Sequence, residues 1–474
     1  MKLSAIALSL GMASLLAACA AGNAPLASSE QAPAQPSNVI LFIGDGMGVS
    51  TVTAARIYDG QTRGETGEEN LLSFEKFPAL ALVKTYNTNQ QVPDSAGTAS
   101  AMNTGRKTRA GVIDVAAQSH RGDCGEGLAA TMPNAAEQLH ARGKAIGIVS
   151  TARITHATPA AVYAHAPERD WEGDGEMPEP ARATGCTDIA KQLTGFPFEV
   201  ALGGGSRYFF GRDMGGERRD AAADLPSAWA SATGGHFVST AAAMKSVPAD
   251  GKPLFGLFSK SHMTYMLERK PGTSEPTLSE MTATAIDRLQ STGKGYYLMV
   301  EGGRIDHGHH DGRADLALSE TQEFARAVKV ALGKVDLSDT LILVTADHSH
   351  VFTMAGYPTR GNPILGLARG NDDRGEPTGE PILATDGLPY TTLGYQNGPG
   401  AHPGQPRSAP SDDPHAVKQA LVPTGDVFNG VHDLSETHGG EDVALYATGA
   451  GSSAVHGVIE QNRIFDYLMS ISGE

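Results

Sequence analysis

Four clusters of acidic and histidine residues are spread along the chain, and a serine, Ser95, lies between the first and second clusters. The clusters are Asp45-Gly46-Met47-Gly48, Glu301 to His310, Asp347-His348 and Thr437 to Asp442. Carboxylates combined with imidazoles are a typical zinc ligand set, whereas carboxylates combined with hydroxyls suit magnesium. A serine accompanied by such clusters predicts a nucleophile that is activated by cations rather than by a histidine base.

Each of these motifs is a weak signal when it is taken alone. The Asp45 cluster could be a plain turn, and Asp-His pairs are common on protein surfaces. Ser95 precedes a helix-compatible stretch, so it could simply be a helix N-cap. Asp306 and His310 share a face if their segment is helical, and a tight turn is the alternative. A functional interpretation of these motifs is favoured over a purely structural one only because all the clusters fit one site.

Two further side chains fit phosphate chemistry. Thr158 could offer a hydroxyl oxygen to magnesium, and Arg169 could hold two phosphate oxygens with its planar fork. A surface ion pair is the more common role of an arginine. A helix that begins at Ser95 would favour a phosphoryl group at its N-terminus. No Gly-x-Ser-x-Gly string surrounds Ser95, which argues against an esterase triad.

Continuous apolar runs predict the elements that position these residues. Strands buried on both faces are predicted at residues 38–43, 145–149, 296–300, 340–345 and 443–447. Amphipathic helices are predicted at residues 134–142, 277–290 and 314–332. Their alternation indicates an α/β fold, doubly wound, with a mostly parallel central sheet and helices on both faces. Asp45, Glu301 and Asp347 each follow a predicted strand, at the edge where such sheets bind ligands.

The composition sets limits on the class of protein. The chain has 474 residues, 57 of them glycine, which suits a loop-rich α/β protein better than a helical bundle. Its formal charge of -16 argues against a nucleic-acid-binding surface. Residues 38–474 are predicted to form a single domain. Within it, the Gly-, Pro-, Asp- and Thr-rich stretch at about 351–431 is predicted to be an inserted, crown-like region above the sheet.

The N-terminal residues are typical of an export signal. An apolar run from Ala5 to Leu16 is too short to span a bilayer comfortably, and it ends at Leu16-Ala17-Ala18-Cys19. That string resembles a bacterial lipobox, so residues 1–19 are predicted to be a lipoprotein-type signal peptide with Cys19 lipidated. Cleavage at a nearby small residue is the alternative. Residues 20–37 are predicted to be a disordered tether.

Export bears on the other two cysteines. Cys124 and Cys186 remain as a pair in an oxidising compartment, which favours a disulfide over two free buried thiols. The predicted location is either the periplasm or the outer membrane, where the lipid on Cys19 would anchor the protein.

Taken together, these residues resemble alkaline phosphatases, and the animal-type sequences more closely than the enterobacterial one. The resemblance covers Asn38 to Met469. The strings that carry it are Asp45 to Gly48, Pro93 to Ala99, His156 to Ala160, Glu301 to His310, Ala346 to Ser349 and Thr437 to Asp442.

The resemblance implies hydrolysis of phosphate monoesters with two zinc ions and one magnesium ion. Ser95 would become phosphorylated beside Asp94, and Arg169 would clamp the phosphate. The ligands would be Asp45, Asp347 and His348 for the zinc that activates Ser95, Asp306, His310 and His438 for the second zinc, and Asp45, Thr158 and Glu301 for magnesium. His156 and His307 would tune the magnesium site and phosphate binding from behind the ligands.

The resemblance also supports a Cys124–Cys186 bridge and, by analogy alone, a homodimer. It places calcium in doubt, because Ser259 stands where animal-type enzymes have a carboxylate ligand, with Glu275 as a remnant. A phosphodiesterase of the same superfamily is one alternative, although those enzymes commonly use a threonine nucleophile. A sulfatase would need a Cys/Ser-x-Pro-x-Arg string, which the Ser95 region lacks. A non-catalytic lipoprotein that binds metal or phosphate is the remaining alternative.

Overall fold

The computed structural model describes residues 35–248, 250–402, 404–428 and 431–472. Its strands are β1 (Asn38–Gly44), β2 (Ala79–Lys84), β3 (Ala145–Arg153), β4 (Val200–Gly204), β5 (His236–Val238), β6 (Leu254–Leu257), β7 (Tyr296–Gly302), β8 (Thr340–Ala346), β9 (Ser349–His350), β10 (Phe352–Met354), β11 (Arg369–Asn371), β12 (Pro377–Pro381), β13 (Leu393–Asn397), β14 (Ala420–Val422), β15 (Gly425–Phe428), β16 (Val431–Leu434), β17 (His438–Gly439), β18 (Val443–Gly449) and β19 (His456–Glu460).

The helices connect these strands, and several begin at side-chain caps of the kind the sequence suggests. They are α1 (Val49–Gln61), α2 (Ser95–Thr104), α3 (Cys124–Ala129), α4 (Ala135–Ala141), α5 (Ala157–Ala160), α6 (Glu179–Thr184), α7 (Ile189–Gly195), α8 (Leu225–Thr233), α9 (Ala241–Ser246), α10 (Leu278–Ser291), α11 (Arg304–His310), α12 (Ala314–Lys334) and α13 (Ile464–Leu468). Asn134 and Thr277 form capping boxes that start α4 and α10, close to the predicted boundaries.

One ten-stranded sheet forms the centre of the protein, in the order β19-β2-β18-β8-β1-β7-β3-β4-β6-β5. All neighbouring pairs are parallel except the two that β18 makes with β2 and β8. The prediction of an α/β fold with a mostly parallel central sheet flanked by helices is confirmed. The predicted strand at residues 443–447 is present as β18, but its burial alternates because it runs antiparallel, so full burial on both faces was wrong there.

The three strands that position the predicted site are neighbours. β1 lies between β7 and β8, with Ile43 opposite both Glu301 and Thr345. All three strands are buried along nearly their full length, because apolar side chains cover both faces. Their parallel direction brings their carboxyl ends to one edge of the sheet. Glu301 lies within β7 rather than after it, which corrects the predicted strand end by two residues.

The predicted insertion forms small sheets instead of helices. Three groups of strands lie in it: β10-β13-β14, β11-β12 and β15-β16. No helix occurs in the part of residues 351–431 that the structure describes. The buried ammonium of Lys418 donates to the carbonyl oxygens of Leu365 and Pro414 at 2.8 and 3.2 Å, which ties separate segments of the insertion together.

The predicted Cys124–Cys186 disulfide is present and closes a loop of 62 residues. Such a loop closure stabilises the folded chain by roughly 4 kcal/mol on the chain-entropy account. Within the described ranges, we find no helix with the length and apolarity needed to cross a bilayer. Cys19 and the predicted signal peptide lie outside the described residues.

Candidate metal centre and active site

Ser95 is the first residue of α2, and Asp94 is the N-cap of that helix. The Asp94 side chain accepts hydrogen bonds from the backbone N–H groups of Gly97 and Gly111 at 3.0 and 2.8 Å. The alternative that Ser95 itself is the N-cap is therefore wrong, and its hydroxyl is free for another role. Ser95 is 2% exposed, and its Oγ lies 3.1 Å from Nε2 of His348.

Asp45, Asp347 and His348 meet next to Ser95. Nε2 of His348 lies 3.3 Å from Oδ1 of Asp45 and 3.2 Å from Oδ2 of Asp347. The backbone N–H of Gly46 donates to the other oxygen of Asp347 at 3.0 Å. Nδ1 of His348 faces the carbonyl oxygen of Ser349 at 3.2 Å, so Nδ1 carries the proton and Nε2 offers its lone pair to the group.

A second group of ligand atoms is formed by Asp306, His310 and His438. Oδ1 of Asp306 lies 3.3 Å from Nε2 of His310 and 3.5 Å from Nε2 of His438. Asp306 and His310 both lie on α11, which settles the choice between a helix and a turn in favour of the helix. The Nδ1 atoms of His310 and His438 donate to the carbonyl oxygens of Glu436 and Pro93 at 2.6 and 2.7 Å.

Asp45 also borders a third group, with Thr158 on α5 and Glu301 on β7. Both oxygens of Asp45, Oγ1 of Thr158 and Oε1 of Glu301 are buried without a hydrogen-bond partner in the described part of the chain. The other oxygen of Glu301 accepts a short hydrogen bond from Ser150. Unpartnered buried oxygens are costly, so this arrangement fits a hard cation such as magnesium.

The carboxylates of the site lie close together in a buried position, where ionisation is costly without nearby positive charge. Burial and the neighbouring charge of Asp347 raise the pKa of Asp45 well above its usual value. Burial also raises the pKa of Glu301 to about 7 and that of Asp347 to about 6. Burial acts on Asp306 in the same direction, but His310 outweighs it and lowers the pKa of Asp306. Divalent cations would stabilise the ionised forms of all four groups.

His350 is a site residue that the sequence analysis missed. Its Nε2 lies 2.8 Å from Oδ1 of Asp306, and its Nδ1 makes a short hydrogen bond to Glu436. Burial opposes the charged ring, but Glu436 and Asp306 outweigh it and raise the pKa of His350 to about 10. His350 therefore orients Asp306, and Glu436 orients His350 in turn. The alternation of His348 and His350 along the chain, which places both rings on one side of an extended segment, could have indicated it.

Gly46 packs closely against the ring of His350. Its φ of +68° lies in the left-handed region, and a Cβ there would lie 2.3 Å from Nε2 of His350. Only glycine fits between the end of β1 and that ring.

Arg169 is oriented by two partners at the mouth of the Ser95 site. Its Nη1 donates to Oδ2 of Asp94 at 3.1 Å, and its Nη2 donates to Nε2 of His156 at 3.1 Å. Burial would raise the pKa of Asp94, but Arg169 and the backbone donors outweigh it and lower that pKa. The remaining N–H groups of the guanidinium are available for an anion.

His156 and His307 lie beside the third group, together with a further histidine that the sequence analysis missed. The ring centres of His262 and His307 are 4.0 Å apart, and that of His156 lies 5.6 Å from that of His307. Burial lowers the pKa of all three rings, so they are neutral. His262 also makes a short contact with Arg153, and nothing in its sequence neighbourhood marks it as a site residue.

Ser259 and Glu275, the two residues considered for a calcium site, both form hydrogen bonds within the protein. Oε2 and Oε1 of Glu275 accept from the backbone N–H and the hydroxyl of Thr264 at 2.8 and 3.0 Å. Ser259 donates to the carbonyl oxygen of Ser261 at 2.7 Å. The structure thus brings together every predicted ligand and catalytic residue at one edge of the sheet, and it places Glu275 in a separate hydrogen-bonded group.

A buried serine surrounded by carboxylate–histidine groups at the carboxyl edge of a parallel sheet defines an α/β metallohydrolase. The sequence profile of the alkaline phosphatase family matches residues 36–473. The chain is 46% identical over 456 residues to the tissue-nonspecific alkaline phosphatase of Gallus gallus, covering 90% of this chain and 82% of that protein. It is 43% identical over 449 residues to the tissue-nonspecific alkaline phosphatase of Homo sapiens, with the same coverage.

Solved structures agree on the fold. The crystal structure of Thermus thermophilus alkaline phosphatase superposes with a TM-score of 0.64 at 22% identity, covering 93% of each chain. The chain belongs to the alkaline phosphatase family. It is a metal-dependent hydrolase of phosphate monoesters.

Proposed function

We propose that this phosphatase works through a phosphoserine intermediate on Ser95. The observation that carries the proposal is the 3.1 Å contact between Oγ of Ser95 and Nε2 of His348, within reach of Asp45 and Asp347. Ser95 lies at the N-terminus of the ten-residue helix α2, whose free backbone N–H groups favour a bound anion.

The ligand sets support two zinc ions and one magnesium ion per chain. Zinc would be held by Asp45, Asp347 and His348 beside the nucleophile, and by Asp306, His310 and His438 on the far side. Magnesium would be held by Asp45, Thr158 and Glu301. When bound, these ions supply Lewis-acid charge that lowers the pKa of coordinated hydroxyls and stabilises oxyanions.

The protein's own side chains would bind the phosphate and attack the phosphorus. Arg169 would grip two non-bridging oxygens of the phosphate with its fork, because Asp94 and His156 hold it in one orientation. Oγ of Ser95 would then attack phosphorus in line with the leaving oxygen, so that the bond to Oγ forms as the bond from phosphorus to the alcohol oxygen breaks and the alcohol departs. Water would release inorganic phosphate from Ser95 in the second step. Nearly complete burial of Ser95 limits competing access of bulk water before the ester binds.

Substitution of Ser95 by alanine tests this proposal. We expect Ser95→Ala to lose phosphatase activity by at least about a thousandfold while keeping its metal ions, since the ligands remain. Ser100→Ala, a buried serine on the same helix that donates to the carbonyl oxygen of Val112, is the matched control. Rapid quenching of the native enzyme with substrate should leave a phosphoryl group on the peptide that carries Ser95. Native-level activity in Ser95→Ala would disprove the intermediate.

We further propose that the mature chain is an exported lipoprotein anchored through Cys19. The lipobox-like string ahead of Cys19 and the Cys124–Cys186 disulfide support this, because disulfides persist in oxidising compartments. Mass analysis of the N-terminal peptide tests it: a diacylated Cys19 is expected, and an unmodified N-terminus would contradict it.

A homodimer is also proposed, through the inserted region. Leu421 is 83% exposed, and Val422 and Leu383 in the same region are more than half exposed. Leu421 and Val422 are consecutive residues of β14, and a contiguous exposed apolar patch built on them would favour a protein interface. Sedimentation velocity should give the mass of a dimer, and a monomer at micromolar concentration would contradict the proposal.

A further inference from the structure

Asn87 is a buried asparagine whose side chain reaches the carboxylate that holds Arg169. It lies in the loop between β2 and α2 and is 4% exposed. Its Nδ2 donates to Oδ1 of Asp94 at 2.9 Å, and within the described residues this is the one hydrogen bond that its side-chain amide makes. Burial of an amide is costly unless hydrogen bonds offset it, so the contact with Asp94 accounts for the position of this side chain.

Four donors surround the carboxylate of Asp94, two on each oxygen. Oδ1 accepts from Asn87 and from the backbone N–H of Gly97 at 3.0 Å. Oδ2 accepts from the backbone N–H of Gly111 at 2.8 Å and from Nη1 of Arg169 at 3.1 Å. The two side-chain donors, Asn87 and Arg169, thus lie on opposite oxygens. Four donors fill the acceptor positions of a carboxylate, so Asp94 is held in one orientation.

The helix that follows leaves room for the Asn87 amide. A Cβ at Gly97 would lie 2.5 Å from Oδ1 and 2.8 Å from Nδ2 of Asn87. Gly97 lies inside α2, where glycine is destabilising relative to alanine. Glycine at this position is therefore explained by the close approach of Asn87 and not by helix propensity.

The loop that carries Asn87 is itself tied down. The backbone N–H of Asn87 donates to the carbonyl oxygen of Gln90 at 3.1 Å, and that of Gln90 donates back at 3.4 Å. Oδ1 of Asn89 accepts from the backbone N–H of Ala110 at 2.9 Å, next to Gly111. The loop thus contacts the segments that supply donors to both oxygens of Asp94, and it presents the Asn87 amide from a fixed position.

We propose that Asn87 is a positioning residue for phosphate binding, which acts through Asp94 on Arg169. By filling the far oxygen of Asp94, Asn87 keeps that carboxylate in the plane in which Arg169 presents its free N–H groups to the phosphate. Asn87 itself does not contact the substrate. The inference rests on the proposed role of Arg169 as the phosphate clamp.

Inhibition by inorganic phosphate tests the proposal, because an inhibition constant does not depend on the fraction of active protein. Asn87→Ala should raise this constant by about fivefold, the effect of losing one hydrogen bond. Asn103→Ala is the matched control. Asn103 is a buried asparagine on α2 that accepts from the hydroxyl of Tyr297 at 3.0 Å, so its loss should lower stability and leave phosphate inhibition unchanged.

A charge variant gives a pH signature that a structural role would not give. Asn87→Asp keeps the shape of the side chain but places a second carboxylate against Asp94. We expect phosphate inhibition to weaken by about tenfold or more relative to the native enzyme at pH 9, and by less at pH 6, where the two carboxyl groups can share a proton. The same ratio to the native enzyme at both pH values would contradict the proposal.

A double-mutant cycle shows whether Asn87 acts through Arg169. In an Arg169→Ala background, Asn87→Ala should change phosphate inhibition by less than about twofold, since the residue that it positions is gone. An effect of about fivefold that persists there would overturn the proposal, as would native inhibition in Asn87→Ala beside weakened inhibition in Arg169→Ala. Native inhibition in Arg169→Ala would instead contradict the phosphate clamp itself, and the positioning role with it.

Discussion

The Nε2 atoms of His310 and His438 lie 3.2 Å apart, although 128 residues separate the two histidines in the chain. Each ring gives its Nδ1 proton to a backbone carbonyl, so both Nε2 lone pairs face the same position. Two imidazole lone pairs repel each other at this distance unless a cation lies between them. The pair is thus shaped for a metal ion, with Asp306 as the third ligand.

Loss of His438 should remove the ion bound there. We expect His438→Ala to bind one zinc ion fewer per chain and to lose at least about a hundredfold in kcat/KM, because the leaving oxygen is no longer stabilised. His456→Ala, an exposed histidine on β19, is the control. Metal analysis of the purified variants gives the answer, and full zinc content in His438→Ala would contradict the ligand assignment.

Glu436 should matter for metal affinity more than for the chemical step. Glu436→Gln removes the carboxylate to which His350 is hydrogen-bonded, so Asp306 loses its oriented partner. We expect zinc affinity to fall about 10- to 100-fold, with activity recovered at high zinc. Titration of the apoenzyme with zinc measures this, using exposed Glu376→Gln as the comparison. An unchanged zinc titration would show that the contact between Glu436 and His350 does not contribute to zinc affinity.

Phosphate binding by Arg169 should depend on the planar fork of its guanidinium and not on its positive charge alone. Arg169→Lys keeps a positive charge, but it cannot contact Asp94, His156 and two phosphate oxygens together. We expect kcat/KM to fall by about a hundredfold and inhibition by inorganic phosphate to weaken in parallel. Steady-state kinetics with phosphate as inhibitor test this beside Arg212→Lys, which is exposed. A lysine variant with native phosphate inhibition would rule out the clamp.

His165 should make stability depend on pH. Burial would lower its pKa, but its 2.9 Å contact with Glu137 and the charge of Asp114 outweigh burial and raise that pKa to about 9. A raised histidine pKa adds stability that is complete below the unfolded value near 6.5 and is lost as pH rises through about 9. The contribution is roughly 2 kcal/mol, since the side chain is mostly buried.

Urea unfolding of His165→Gln and the native protein measures this contribution. The difference in free energy of unfolding should be largest near pH 6 and should shrink by roughly 2 kcal/mol near pH 10. His120→Gln is the control, because that side chain is 67% exposed. A difference that grows with pH would reverse the sign and contradict the assignment.

The sequence predicts the sheet-edge part of the site well. Asp45 and Asp347 follow long apolar runs, and parallel strands bring such ends together without any knowledge of side-chain packing. β4 and β6 were not predicted, because strands of five and four residues leave too short a pattern.

The parts that the sequence analysis missed depend on packing between distant segments. His350 acquires its role from Glu436, and His262 acquires its position from stacking on His307. Neither contact produces a periodic pattern in the amino-acid sequence. Asp94 and Ser95 show the same limit on a smaller scale, since both are good capping residues and only the backbone geometry selects Asp94.

Metal content measured together with monoester turnover, before and after chelation, tests the central claim most directly. The three ligand groups predict about two zinc ions and one magnesium ion per chain, and turnover that is lost on chelation and returns when zinc and magnesium are added back. Full turnover in a chelated protein that holds no metal would contradict the account.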